Sequence, residues 1–337
     1  MLASSVQGRS GFPRRVFVQV FDGKPSPEGG LVLEELQSRK ESVTVVLKTT
    51  EEILKHGWDL SAESDLVVGD FEWTRMAVSA LKLSMPDPPD YPSCLRHLLQ
   101  RKIWTSTLGE VQEVHLRRSP PSSAPQTAED QDKNTIRKLF IKPASETKAF
   151  SGLVASSDPE DFWLPYLLEQ FPPSFPVFCS ELLDIAAEFR VYVVDSAIRC
   201  ICRYQGNESE AANLDRNLVE DAVRILCESP EGSDLKHGCG IDFAVVRVPP
   251  LVARSPGPDS GARAQGNVET GAGPAAASGQ SDAPGGRMSR GMTVLLEVND
   301  GFSLGAYEGL SRQDYTDLLI HRWIRLTSAQ YQQSIEQ

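Results

Sequence analysis

Apolar and polar positions alternate along the first eighty residues in a way that marks strands and one helix between them. VFVQV (16–20), a Gly/Pro loop, the amphipathic stretch GLVLEELQSRK and VTVVLK (43–48) predict strand, loop, helix and strand. LVVG (66–69) adds a short strand, 73–84 has helical spacing, and the prolines of 86–92 close a small α/β unit. Gly29-Gly30 is read as an ordinary loop into a helix, because no fuller phosphate-binding fingerprint follows it. CLRHLLQRK (94–102) predicts a short basic helix. The spacing of Ile103, Thr105, Thr107, Val111, Val114 and Leu116 predicts extended chain as far as 116.

The second half continues in strands. TIRKLFIKP (135–143) ends on Lys142, and 158–170 has the spacing of an amphipathic helix. Residues 177–183, 188–194 and 197–204 predict three consecutive strands, a meander. Leu218, Val219, Ala222, Val223, Leu226 and Cys227 share one face of a helix over 215–229, which would cover that sheet. GIDFAVVRV (240–248) is apolar on both faces apart from Asp242. Two stretches, 118–134 and 249–290, lack an apolar face and are read as a flexible and a disordered insertion. Loop closure costs rise only logarithmically with length. Without the second insertion, IDFAVVRV and TVLLEVND become antiparallel neighbours.

That pairing gives the polar residues of MTVLLEVNDGFSLGAY (292–307) a partner. Glu297 and Asn299, two apart on a strand, point the same way. Alone they suit a polar hairpin end as well as a site. With Asp242 facing them across the pair, three oxygen donors suit a hard divalent cation such as Mg²⁺, with Mn²⁺ as the alternative. Lys102, Lys142, Lys148, Arg190 and Arg203 stand at strand ends or in loops around the same sheet. Cations there, beside a metal, suit the phosphates of ATP.

Composition narrows the classes. A formal charge of −12, with 40 % hydrophobic and 24 % charged residues, describes an ordinary soluble protein without a broad nucleic-acid surface. The six cysteines form no C-x-x-C pair, so they are read as reduced core residues with no zinc site. No apolar run approaches the roughly 18 to 20 residues of a membrane span. Residues 1–15 carry Arg9, Arg14 and Arg15 with serines and no acid, and are read as a disordered tail. A cytoplasmic protein is expected, with organellar import as the alternative.

The order of these motifs resembles the ATP-grasp superfamily: Lys102, FIKP with Lys142, the loop SETKAFSG with Lys148, the hinge SELLDI, EFRVYVV, IDFAVV and LLEVNDGFSLG. The likeness runs from about residue 100 to 325. It is greatest to a clade of bacterial, phage and eukaryotic ATP-grasp proteins with a KAF-x-G loop and an E-V-N-D-G-x-S-x-G ending. It implies an α+β fold in which two α+β lobes clamp a nucleotide, preceded by a small α/β domain. The expected division is a tail 1–15, a preceding domain 16–99, an N-lobe 100–175, a C-lobe 176–325 and a tail 326–337.

By that resemblance Lys102 and Lys142 hold the α and β phosphates, with Arg101 open as the first contact in place of Lys102. Lys148 is a further nucleotide contact, in a flexible loop where the family often has only small residues. Glu181 and the Leu183 backbone meet the adenine edge and Glu188 the ribose. Arg190 stabilises the transferring phosphoryl group, and Asp242, Glu297 and Asn299 hold the metal. The activity implied is ATP-dependent carboxylate–amine ligation through an acyl phosphate, on small-molecule or peptide substrates. A degenerate ATP-binding regulatory module and a kinase of the same fold remain open.

Overall fold

The computed structural model describes residues 13–40, 42–116, 136–144, 149–247 and 291–328. The expected insertions 118–134 and 249–290, Lys148, and most of both expected tails lie outside the described residues.

β1 (Arg15–Phe21) is apolar on both faces, and Val16, Phe17, Val18 and Val20 are buried. β2 (Lys24–Pro25) turns back on it, and α1 (Pro27–Ser38) starts where Ser26 Oγ accepts from Gly29 N at 3.0 Å. A serine cap followed by proline satisfies an orphan N–H and presets the first turn. β3 (Thr44–Lys48) and β4 (Asp65–Val68) flank β1 in parallel. Between them lies α2 (Thr50–His56), whose apolar spacing is too short to read. A capping box, Thr49 with Glu52, starts it instead. α3 (Phe71–Ala80) is capped by Asp70.

The basic stretch expected as a helix forms a 3₁₀ turn, Ser93–Leu98. β5 (Ile103–Thr107) then gives way to α4 (Leu108–Glu110), which runs into a π turn over Val111–His115. The expectation of extended chain through 116 is therefore wrong after Thr107. Thr107 and Glu110 form a second capping box, and that local bonding overrides the alternation of valines. β6 (Lys138–Pro143), β7 (Leu153–Ser156), α5 (Trp163–Gln170) and β8 (Pro176–Ser180) complete an antiparallel sheet of order β5-β8-β6-β7.

β9 (Ile185–Val194), β10 (Ala197–Gly206), the short α6 (Glu208–Ala211), α7 (Arg216–Glu228), β11 (Cys239–Arg247) and β12 (Gly291–Asp300) follow. Their sheet has the order β10-β9-β11-β12. The expected meander over 177–204 is thus corrected. β8 belongs to the earlier sheet, and 181–184 passes between the two. Apolar alternation shows that a strand exists but carries no information on which sheet it joins. α7 covers the second sheet, packing Val219, Val223 and Leu226 with Val191, Ile241 and Phe243.

α8 (Arg312–Leu326) closes the chain. Its Tyr315, Leu318, Leu319 and Trp323 share one core with Val16, Val18 and Leu66 of the first unit and with Tyr192 of β9. Trp323 Nε1 donates to the Asp65 carbonyl at 2.6 Å. Buried Arg322 grips Asp300 through two bonds of 2.6 Å, fixing the end of β12. Among the described residues no helix is long and apolar enough to cross a membrane.

Candidate active site

The sheets β5-β8-β6-β7 and β10-β9-β11-β12 bring their polar side chains to a common cleft. Register explains the cluster: Asp242 on β11 pairs with Arg190 on β9 and with Glu297 on β12. Directly paired residues share a face, so the three converge. Arg190 Nε and Nη2 donate to the two oxygens of Asp242, each at 2.7 Å. Asn299 Nδ2 donates to Asp242 Oδ2 and to Glu297 Oε1, both at 3.2 Å. The amide thus stands between two carboxylates, where positive charge is favoured. Turning the amide over would add its oxygen to theirs, giving an oxygen-only donor set. No group of three His, Cys, Asp or Glu side chains suited to a metal exists among the described residues. Two carboxylates and one carboxamide nevertheless suit Mg²⁺, which keeps several waters and substrate oxygens in its shell.

Lys142 reaches this cluster from the other sheet. Its Nζ donates to Glu297 Oε2 at 2.7 Å and to Asp90 Oδ1 at 2.5 Å. It also lies 4.6 Å from the centre of the Tyr91 ring, a cation–π contact. Asp90 arrives because the proline-rich linker joins the edge of β12, where Val298 N donates to the Asp90 carbonyl at 2.8 Å. Asp90 takes a left-handed φ of 39° there, a conformation that Asp tolerates better than most residues.

Arg101 ties the sheets together. It donates to the carbonyls of Leu295 (2.7 Å) and Leu296 (2.9 Å) on β12 and to Ser180 Oγ (3.1 Å) on β8. Its neighbour Lys102 points elsewhere, with Nζ 5.2 Å from the centre of the Trp104 ring. The two residues stood as alternatives for one position, and it is Arg101 that lines the cleft with Glu297.

A cavity of about 280 Å³ opens beside these groups. Phe140, Val154, Leu183, Ile185 and Leu296 form apolar walls, and Glu181, Glu188 and Asp242 stand at its polar margins. Glu181 accepts from the Lys102 backbone N–H at 2.9 Å. Glu188 accepts from Tyr204 OH at 2.8 Å, and the Tyr204 ring stacks on Tyr307 at 4.6 Å. Tyr307 in turn lies 5.0 Å from the Arg190 guanidinium. Asp90, Tyr91, Tyr204 and Tyr307 were not picked out from the sequence. Only the Asp-Tyr step ending the proline cluster offered a signal, a charge and a ring where a plain linker needs neither.

The charges are unevenly poised. Burial raises the Asp242 carboxyl above its ordinary range, against the pull of Arg190. Burial raises Asp90 in the same way, against Lys142. Glu297 is also pushed up by burial, but Lys142 and the Asn299 amide outweigh that and hold it below its ordinary value. Lys142 keeps its proton, because Glu297, Tyr91 and Asp90 overcome its desolvation.

Residues 98–248, a little under half of the chain, match a family profile described as an ATP-grasp domain, the second family of its clade. A search of curated protein sequences found no match. Solved structures that resemble the chain include D-alanine–D-alanine ligase from Bacillus anthracis complexed with ATP. It is 13 % identical, with a TM-score of 0.43, over 95 % of this chain and 98 % of that one. An ATP-grasp RimK domain protein from Sphaerobacter thermophilus is 15 % identical, with a TM-score of 0.44, over 93 % and 99 %. The macrocyclase MdnC from Microcystis aeruginosa, bound with its precursor peptide MdnA, is 12 % identical, with a TM-score of 0.43, over 91 % and 99 %. Residues 98–248, whose strands build most of this cleft, are thus similar to an ATP-grasp domain, and the fold around them is α+β.

Proposed function

We propose that the cleft binds Mg²⁺-ATP and uses it to join a carboxylate to an amine. The observation that carries this reading is the convergence of Lys142, Arg101 and Arg190 with Asp242, Glu297 and Asn299 at the polar end of an apolar cavity. The apolar walls suit an adenine ring, the 181–184 crossover offers the Leu183 backbone to its edge, and Glu188 suits the ribose hydroxyls. Lys142 has three N–H donors and spends two on Asp90 and Glu297, leaving one for a phosphate oxygen. Arg101 takes the place of Lys102 as the first phosphate contact. The unit 16–99 serves as the domain that precedes the lobes and helps to form the acceptor pocket.

Asp242, Glu297 and Asn299 would hold the metal, which neutralises phosphate charge when bound. The chain's own residues do the rest. Arg190, oriented by its two bonds to Asp242, faces the γ-phosphoryl group and stabilises charge as it passes to the substrate carboxylate. The resulting acyl phosphate is attacked by an amine, giving an amide, ADP and phosphate. Apolar walls exclude water from the acyl phosphate, which would otherwise hydrolyse.

The test is ADP release by the purified chain against pooled carboxylates, amino acids and short peptides, with Glu297→Ala as control. ADP release that needs both a carboxylate and an amine, and is lost in the variant, supports ligation. ADP release with a phosphorylated product and no amine requirement replaces it with a kinase. ATP binding without turnover on any substrate replaces it with a regulatory module.

A further inference from the structure

β10 carries the sequence Cys-Ile-Cys, and the Sγ atoms of Cys200 and Cys202 stand 3.1 Å apart as free thiols. Residues two apart on a strand share a face. That face is the cleft face, because Cys202 is the register partner of Arg190 and Cys200 of Tyr192. A register shift between Ile198 and Cys200 bends the strand at the same place. Cys200 is half-buried, whereas Cys202 is only 2 % exposed.

The pair also supports the turn beyond β12. Cys200 Sγ donates to the Gly309 carbonyl at 3.3 Å. A Cβ placed on Gly309 would stand 3.7 Å from Cys202 Sγ, so the turn lies close over both sulfurs. Gly309 has a left-handed φ of 97° that favours glycine. The same turn carries Tyr307, whose N–H donates to Tyr192 OH at 3.0 Å and whose ring faces Arg190.

We propose that Cys200 and Cys202 are a reversible modification site, oxidised by a hydroperoxide to an intrastrand disulfide that loosens the turn bearing Tyr307. Cys200, the more accessible thiol, attacks as its thiolate. Its sulfur bonds to the outer peroxide oxygen, the O–O bond breaks, and an alcohol or water leaves with a proton from solvent. Cys200 is then a sulfenic acid. The Cys202 sulfur attacks the Cys200 sulfur, the S–O bond breaks, and water departs carrying the Cys202 proton. In sum, two thiols and one hydroperoxide give a disulfide, an alcohol and water, the two electrons lost by sulfur reducing the peroxide. Burial pushes the Cys202 thiol up to about 12, so Cys200 and not Cys202 reacts first. Two residues apart on a strand lie near the upper limit of spacing for a disulfide, so the bond is strained and readily reduced. A disulfide has no S–H, and the Gly309 carbonyl loses its donor.

The experiment treats the full chain with hydrogen peroxide under native conditions and follows intact mass, the tryptic peptide Cys200–Arg203 and amide exchange over 305–310. The expected result is loss of two hydrogens from that peptide, restored by dithiothreitol, with exchange over 305–310 rising about tenfold. Cys200→Ser should abolish both changes while its untreated exchange pattern matches that of the wild type. A peptide that stays fully alkylatable after treatment, or gains oxygen without forming the bond, overturns the proposal. So does a disulfide that leaves exchange over 305–310 unchanged, because the link to the turn is then absent. ATP binding plays no part in these readouts, so they stand apart from the ligase reading.

Discussion

Asn299 shows at the residue scale why the site is written in side-chain pairs. Its amide bonds two carboxylates that would otherwise repel each other, Asp242 and Glu297. Asn299→Asp should therefore lower stability in metal-free buffer and recover it when Mg²⁺ is added, a reversal readable as a thermal shift. Lys142 has the opposite duty. It is 8 % exposed and paired with two acids, while Glu297 keeps 31 % of its side chain in solvent. Removing a buried partner leaves charge uncompensated. Lys142→Met should cost about 2 kcal/mol in urea unfolding, below the range for a fully buried pair because Glu297 is partly solvated. The sign with pH follows from Glu297, whose carboxyl Lys142 holds below the ordinary value of 4.5. Such a group stabilises the fold above that value and loses its contribution as pH falls through the lower folded value. The stability gap between wild type and Glu297→Gln, measured by urea unfolding without metal, should be full near neutrality and close in acid. A gap that widens on acidification would contradict the pairing.

Elements were legible in proportion to how local their causes are. β1, β3, β11 and β12 are apolar runs with β-branched residues, and the pairing of β11 with β12 followed from deleting 249–290. That pairing placed Asp242 opposite Glu297, as the register has it. The helices at Thr49 and Thr107 were missed for one shared reason: each is started by a Thr/Glu capping box and is too short for apolar periodicity to show. Thr107→Ala should cost about 1 kcal/mol in urea unfolding and increase amide exchange over 108–116. The sheet assignment of β8 was illegible because it depends on long-range pairing with β5 and β6. Lys102 stood as the first phosphate contact on sequence order alone. A bend at Arg101 decides which of two adjacent cations faces the cleft, and no spacing encodes that. Lys148 lies outside the described residues.

Over the whole molecule, α8 joins what the linear order separates. The last helix lies in the core of the first α/β unit and also against β9, while Asp90 carries the intervening linker into the cleft. The first unit is thereby coupled to the sheet that holds Arg190 and Asp242. Trp323→Ala should remove a large buried side chain and its bond to Asp65, costing about 3 to 5 kcal/mol, and should lower the unfolding midpoint of the whole chain in one transition. The central claim is that the cleft is a Mg²⁺-ATP site built on Asp242, Glu297 and Asn299. Titration calorimetry of ATP into the wild-type chain, with Mg²⁺ and then with EDTA, tests it most directly when repeated on Glu297→Ala. The account predicts binding that Mg²⁺ strengthens at least about tenfold in the wild type, with that gain absent in the variant. Equal affinity in all conditions, or no binding by the wild type, would contradict it.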